Sequence, residues 1–407
     1  MILSVADAAA FHSFLCPASK CRRFRIDRKP FREIIVRIGS FEFNLRELAG
    51  SMGDFGTLFP LAIGYIALCD MDPTGLLIMM GLANIVSGLV YRLPMPIEPM
   101  KVLAVVAIAE RWEPSLIYAS GFAMGIVWVL LALAGIMDWI AKVTPKSVVR
   151  GIQAALGIML AIQALKMIST WWMLGLVAIL IVLVFRKNRY APAAILLVVL
   201  GLVVMALKGQ LQMIDAPRLT LPPLTGFQPR EIWDSLVRGG FAQIPLTATN
   251  AIIATSALIT QYWSDRRVTE RQLSLNHGIM NLVIPFFGGM PMCHGAGGLA
   301  GQYYFGARTG GTNMIEGIIE IGLGLFLATS IAALFAAFPT AIIGAMMFLV
   351  GLELVKFAGD LKANRDLLTM AATVGGALAV NMAVGFVLGL AVHYVVFRGY
   401  KRPSDNK

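Results

Sequence analysis

The stretch GGMPMCHGAGGLAGQYYFG, residues 288–306, is flanked by apolar segments yet holds a Pro, a Cys, a His and a cluster of glycines. Taken alone, Gly295 to Ala300 satisfies the dinucleotide pattern G-x-G-x-x-G/A. That pattern works only where a strand turns into a helix of a soluble α/β domain. Here the flanks are hydrophobic spans, so the match carries no dinucleotide meaning. What survives is simpler physics. A helix starting after such a break exposes free N–H groups and the positive end of its dipole, and both suit an anion. A second break, LPMPIEPMK at residues 93–101, has the same character.

The 407 residues are 58% hydrophobic and 14% charged, against about 45–50% and about 25% in soluble domains. The chain reads as an all-α polytopic membrane protein whose apolar surface meets the lipid bilayer. Its net charge is +11, but the basic residues gather in short loops and the two tails. That is the pattern of membrane topology and not of nucleic-acid binding. Cys16, Cys21, Cys69 and Cys293 lack the spacing of a disulfide framework or a zinc site, so no metal and no cofactor is expected. The N-terminal stretch lacks a basic n-region and carries Asp7, which argues against a cleaved signal peptide.

Apolar runs and breakers mark about fourteen spans, near 47–69, 73–91, 97–110, 115–137, 147–166, 170–186 and 190–207, then 237–262, 273–287, 294–306, 313–336, 338–357, 365–380 and 382–398. The third and tenth fall short of the ~20 residues of a full crossing and read as half-helices. With the N-terminus inside, even-numbered spans should end in basic cytoplasmic loops. Arg92, Lys146, Arg150, Arg186, Arg189, Arg266, Arg271, Arg308, Lys356 and Arg398 all fit. Both termini are therefore expected in the cytoplasm, with the cell membrane as the location. The organisation is a cytoplasmic arm (1–46), a seven-span repeat (47–207), an extracytoplasmic Pro-rich linker (208–236), a second seven-span repeat (237–398) and a cytoplasmic tail (399–407). An odd number of spans per half inverts the second half. Breaks at corresponding positions of inverted halves point to the midplane site of a transporter.

Ionisable groups inside spans are functional candidates by default. Glu98 and Lys101, three residues apart, share a helical face. Either they pair, or Lys101 adds charge to an anion site while Glu98 exchanges a proton. Asp54 and His294 are further proton candidates, the histidine being equally readable as a structural group. Gln243, Thr247, Thr249 and Asn250 offer neutral hydrogen bonds in the eighth span. Glu316 and Glu320 share one face of the eleventh span, where a solvated face near the cytoplasmic entrance accounts for them. No metalloprotease, nucleophile-elbow or paired catalytic carboxylate motif is present, so no enzyme activity is expected.

The motifs GSMGDFGTLFP (50–60), PMPIEPMK (94–101) and PMCHGAGGLAGQYYFGARTGG (291–311) closely resemble the molybdate transporter family related to the SulP sulfate permeases, over about residues 40–398. The resemblance implies the SulP and uracil-permease fold of fourteen spans in two inverted repeats. Spans 1–4 and 8–11 would form a core, spans 5–7 and 12–14 a gate, and a homodimer is expected from the related fold. Short strands before half-helices 3 and 10 would meet at the substrate site. The implied site comprises Pro96, Ile97, Glu98, Pro99, Met100 and Lys101 with Cys293, His294, Gly295, Ala296, Gly297 and Gly298, joined by Asp54 and Thr57 from the first-span motif. Plant members of the family carry Gln at the position of Glu98 and Lys near that of Glu320. The expected activity is secondary active import of molybdate, tungstate or sulfate, coupled to protons, by alternating movement of core against gate. A nucleobase or organic-anion permease of the same fold and a passive anion channel are the alternatives.

Overall fold

The computed structural model describes residues 36–53, 55–185, 193–210 and 216–396. The arm at 1–35, Asp54, the basic loop at 186–189 and the tail beyond 396 lie outside the described residues, as does the side chain of Thr57.

The described chain opens with the antiparallel pair β1 (Val36–Ile38) and β2 (Phe41–Phe43). A short helix α1 (Leu45–Ser51) follows, capped by the Asn44 side chain, which accepts from the N–H groups of Arg46 and Glu47. Helices α2 (Phe55–Leu68) and α3 (Pro73–Tyr91) come next; α3 starts on an Asp72 cap with Pro in its first turn, a strong start signal. After strand β3 (Glu98–Pro99) the first half continues through α4 (Lys101–Glu110), α5 (Pro114–Ala134), α6 (Met137–Val143), α7 (Lys146–Ile168), α8 (Trp172–Phe185) and α9 (Ala193–Leu207). The second half contains α10 (Pro229–Tyr262), α11 (Glu270–Val283), strand β4 (Met292–Cys293), α12 (Ala296–Phe305), α13 (Gly311–Ala337), α14 (Thr340–Lys356), α15 (Asn364–Ala379) and α16 (Met382–Ala391).

Among the described residues, six helices are long and apolar enough to cross a membrane, and three apolar helices are shorter. Two expected boundaries move. The fifth and sixth spans have no loop between them, because α7 passes through a tight turn at Ser169–Trp171 directly into α8. The eighth span begins earlier, at Pro229, inside the stretch read as linker. Along α10 the helix widens to π-type turns at Leu236–Gly240 and Thr247–Ile253. Pro245 lies between them; it lacks an N–H and crowds the preceding turn, so regular α-helical bonding cannot run through. The third and tenth spans are half-helices as expected. α4 and α12 have 10 residues each, about 15 Å of helix against a hydrocarbon layer of about 30 Å.

Between helices in lipid, close packing of small residues replaces the hydrophobic drive available in water. The sequence supplies it at two-turn spacing. On α3, Gly81 and Gly88 face Gly317 of α13 and Gly310 just before it: a methyl group on Gly81 would lie 2.6 Å from the Gly317 carbonyl oxygen, and one on Gly88 2.7 Å from that of Gly310. The order of these pairs makes the crossing antiparallel. Gly157 of α7 meets the Gly351 carbonyl of α14 in the same way, at 2.7 Å. Gly125 of α5 and Gly278 of α11 form a further close crossing, with a methyl on Gly125 2.7 Å from the Leu282 nitrogen. α3 and α5 of the first half thus pack against α13 and α11 of the second, which interlocks the two halves.

Loops expected on one side of the membrane also find each other. Asp360 bonds Lys146 and Arg150, both at 2.7 Å. On the opposite side Glu110 meets Arg238 at 3.2 Å, and Ser115 donates to Glu231 at 2.6 Å. The Gly81–Gly317 crossing makes a prediction. Gly317→Val should destabilise the protein by about 1–3 kcal/mol, lowering the melting temperature in detergent. Gly322→Ala, whose methyl meets nothing within 4 Å, should leave it unchanged. Equal melting of the two variants would contradict the close crossing.

Candidate functional site

The two chain breaks meet inside the protein. β3 and β4 pair antiparallel, Glu98 opposite Cys293 and Pro99 opposite Met292. The Met100 N–H extends the ladder by donating to the Pro291 carbonyl at 2.9 Å. Residues 93–100 and 288–295 are all buried. Irregular backbone at this depth survives only if the protein itself satisfies it. Pro96, Pro99 and Pro291 reduce the demand, since they bring no N–H.

From this short pairing the half-helices α4 and α12 depart, each starting without a side-chain cap, at Met100 and Gly295 respectively. Their first-turn N–H groups are treated differently. The Val102 N–H donates to Gln243 Oε1 at 2.7 Å, and Gln243 Nε2 donates to Thr247 Oγ1 at 2.6 Å. Gln243 and Thr247 of α10 therefore steady the start of α4. At α12, Gly297 is exposed and a methyl group built on it would meet nothing within 4 Å. At Gly297 this first turn is open.

Glu98 lies between the two helices. It is 2% exposed and forms an ion pair with the partly exposed Lys101. A methyl group on Gly295 would lie 2.7 Å from Glu98 Oε2, and one on Gly298 would collide with Glu98 Oε1. The glycines of the motif thus make room for the carboxylate of Glu98. That carboxylate lies across the first turn of α12, where a bound anion would be stabilised by the helix dipole.

The remaining expected site residues frame this arrangement. Ile97, Met100 and Cys293 are buried in the core, and Ala296 is half-buried beside Gly297. His294 is fully buried and its ring is engaged on both sides: Nδ1 is 3.0 Å from the Pro96 carbonyl and Nε2 is 3.0 Å from Asn276 Oδ1. Its backbone N–H donates to His277 Nε2 at 2.9 Å. Thr249 and Asn250 bond within their own helix: the Thr249 hydroxyl donates to the Pro245 carbonyl, and the Asn250 carbonyl accepts from Thr255.

Comparison with known proteins identifies the chain. The model of a family described as "Molybdate transporter of MFS superfamily" matches residues 46–160 and 235–354, one segment in each half and each containing one of the breaks. Molybdate transporter 1 of Arabidopsis thaliana is 31% identical over 420 residues, spanning 90% of this chain and 91% of the relative. The chain belongs to the molybdate transporter family. In fold, this family member is similar to the transmembrane domain of the cyanobacterial bicarbonate transporter BicA, with TM-score 0.62 and 17% identity over 86% of this chain and 97% of that one. It is likewise similar to the murine anion transporter Slc26a9, with TM-score 0.67 and 12% identity over 96% of this chain and 74% of that one. The relatives are transporters and not enzymes, and the chain is an integral multi-pass membrane protein of the same architecture.

Three asparagines of this molybdate transporter family member hold the site from behind, and sequence reading restricted to ionisable residues passes over them. Asn281 of α11 clamps Met292, accepting from its N–H at 2.9 Å and donating to its carbonyl at 2.7 Å. Asn313 of α13 clamps Met95 in the same way, at 2.8 and 2.6 Å. Asn84 of α3 accepts from Asn313 at 2.7 Å. All three are fully buried, and isolated asparagines in apolar spans were the available signal. Glu316 and Glu320 correct an expectation. They are 2% and 6% exposed, so they do not form a solvated face. The close α3–α13 crossing and the docking of α12 enclose them.

Replacing Asn281 or Asn313 by Ala strands one N–H and one carbonyl at membrane depth. At about 1–3 kcal/mol each, the loss should be about 2–6 kcal/mol, measurable as a lower unfolding midpoint in detergent together with loss of transport. A variant of normal stability would contradict the clamp.

Proposed function

We propose that this protein is a secondary active importer of a tetrahedral oxyanion of the molybdate, tungstate and sulfate class, binding its substrate at the open first turn of α12 beside Lys101. The observation that carries the reading is the pairing of two half-helix N-termini through β3 and β4, with Gly297 facing open space and one lysine at the edge. Dipole ends and backbone N–H groups hold an anion without fixed cations in number, and a weakly charged site releases as well as binds.

Family membership and the anion-transporter fold support the substrate class. The segments 96–101 and 293–298 contain no aromatic residue apart from His294, whose ring is bonded to Pro96 and Asn276. A stacking surface for a nucleobase is not supplied by these segments, which favours an inorganic oxyanion over a purine or pyrimidine. His294 is assigned a positioning role between the 93–97 segment and α11. Gln243 and Thr247 are assigned to the site through the start of α4 that they steady, and from the first-span motif Thr57 remains a candidate for substrate binding and Asp54 a candidate proton carrier.

Glu98 is given a specific part. Its carboxylate occupies the dipole end of α12 and holds Lys101, so it competes with the substrate for both. Substrate entry then requires Glu98 to swing away or to take up a proton. Inward movement of a dianion against a negative interior costs about 2.3 kcal/mol per charge per 100 mV, which makes proton symport the economical coupling. Transport by movement of spans 1–4 and 8–11 against the remaining spans, with both termini cytoplasmic, completes the proposal.

The test is uptake into proteoliposomes. Molybdate should accumulate, tungstate or sulfate should compete, and purines should not; no accumulation of or competition by any of these oxyanions would overturn the reading. Gly297→Val should leave the protein folded and lower uptake about tenfold or more, equivalent to at least about 1.4 kcal/mol of lost binding. Glu98→Gln should lower the KM for the oxyanion by about tenfold, because one charge at an effective dielectric near 20 is worth a few kcal/mol at contact. A raised KM would show instead that Glu98 orients Lys101 for the substrate.

A further inference from the structure

We propose that the groove between α3 and α11 binds one anionic phospholipid, its acyl chain lying along the groove and its phosphate held by Arg266 and Arg267. The site stands on its own geometry; its effect on uptake rests on the importer reading above.

The groove has a volume of about 660 Å³, within the ~300–1,000 Å³ of pockets that hold small ligands. Its walls are two antiparallel helices with apolar residues at one-turn spacing. Leu82, Val86 and Val90 of α3 line one side, and Leu275, Ile279 and Val283 of α11 line the other, all exposed. The buried lining residues Ala83 and Ser87 are small, which gives the groove depth.

The two ends of the groove differ. At one end Met79 and Ile284 come together, and a methyl group on Gly289 would touch both side chains. At the other end the Tyr91 hydroxyl donates to the Gln272 carbonyl at 3.3 Å, and Arg266 and Arg267 complete the lining. Among the described residues that line the groove, these two arginines alone are charged. From Met79 to Tyr91 α3 rises about 18 Å, close to the ~15 Å that one leaflet contributes to a hydrocarbon core of about 30 Å. The groove is therefore one leaflet deep, with cations at headgroup level and a tyrosine beside them, where amphipathic rings settle.

That profile fits a lipid with a negative head. A guanidinium presents paired N–H donors that match phosphate oxygens, and basic pockets between membrane helices select anionic headgroups. Arg266 also lies 3.6 Å from Asp265, an exposed pair that solvent screens. Around the mouth, Arg92, Arg266, Arg267 and Arg271 stand against Asp265 and Glu270, so positive charge is in excess. A second copy of the chain fits less well. Two copies related by an axis along the membrane normal would bring the same arginines to the same level, like charge facing like.

The groove also backs onto the proposed anion site. Asn276, one of its lining residues, meets His294 Nε2 at 3.0 Å, and the Tyr91 ring stands edge-on to the His294 ring at 5.8 Å. His294 Nδ1 in turn lies 3.0 Å from the Pro96 carbonyl. A lipid packed against Tyr91 and Asn276 restrains the two side chains that orient His294, and through it the segment leading to Glu98.

The test titrates the full-length protein in detergent with phosphatidylglycerol or phosphatidylcholine and counts bound lipid by native mass spectrometry. Wild type should retain one phosphatidylglycerol in preference to phosphatidylcholine. Arg266→Gln combined with Arg267→Gln should weaken phosphatidylglycerol binding about tenfold or more. Val86→Trp, which fills the groove from an exposed position, should remove the bound lipid. Phosphatidylglycerol retained by these variants as by wild type would overturn the proposal. So would a wild-type dimer that Val86→Trp splits into monomers, because a second copy then fills the groove. In proteoliposomes, adding phosphatidylglycerol to phosphatidylcholine should raise molybdate uptake more in wild type than in the double arginine variant; an equal response would overturn the link to His294. Absence of uptake by wild type in either vesicle, with selective lipid binding intact, would count against the importer reading alone.

Discussion

The structure depends on satisfying broken backbone inside a membrane protein. Two strands of two residues each, β3 and β4, cannot be stable as an isolated sheet. They persist because two asparagines complete what the ladder leaves open: Asn281 takes the N–H and carbonyl of Met292, the first residue of β4, and Asn313 takes those of Met95, three residues before β3. The prolines at 96, 99 and 291 lower the number of donors that need partners. With that requirement met, α4 and α12 can start at depth; Gln243 takes the Val102 N–H of α4, while α12 stays open at Gly297. Clamp, strand and half-helix act as one device for each break, and both clamps come from helices of the second half, α11 for β4 and α13 for the segment leading into β3.

Charge is handled with economy around this device. Glu98 and Lys101 offset each other where an anion is proposed to bind, so the empty site is not a strong field that would trap its substrate. Helix dipoles provide attraction of limited range, and the carboxylate gives the dipole end of α12 an occupant when no substrate is present. Elsewhere in the core, buried Glu320 accepts from Asn84 and buried Glu316 from Gln302. From Glu320 the bonds run through Asn84 and Asn313 to the Met95 backbone, three residues before Glu98.

Much of this architecture was legible in the chain. The two Pro- and Gly-broken segments, the half-length of α4 and α12, and the membership of residues 96–101 and 293–298 in one locality followed from hydropathy, breaker residues and family resemblance. Hydropathy periodicity places a residue on a face, however, and does not say which face it meets. For that reason the seven-residue spacing of Gly81 with Gly88 and of Gly310 with Gly317 carried no meaning until the helices were seen to cross. Glu316 and Glu320 looked solvated for the same reason, although the crossing encloses them. Gln243 was legible as a polar group but not as the partner of the Val102 N–H, since a tertiary bond across 141 residues leaves no local trace. The start of α10 at Pro229 was hidden by the polar, proline-rich composition before it, which reads as linker even where a capping box begins a helix.

The central claim is that an oxyanion binds at the first turn of α12, opposite the start of α4. Anomalous diffraction from crystals grown with molybdate or tungstate tests it most directly, because the metal centre of the substrate reports its own position. The account predicts an anomalous peak beside the backbone of Gly297 and within reach of Lys101, lost in Gly297→Val crystals. A peak in another part of the protein, with the first turn of α12 empty, would contradict it.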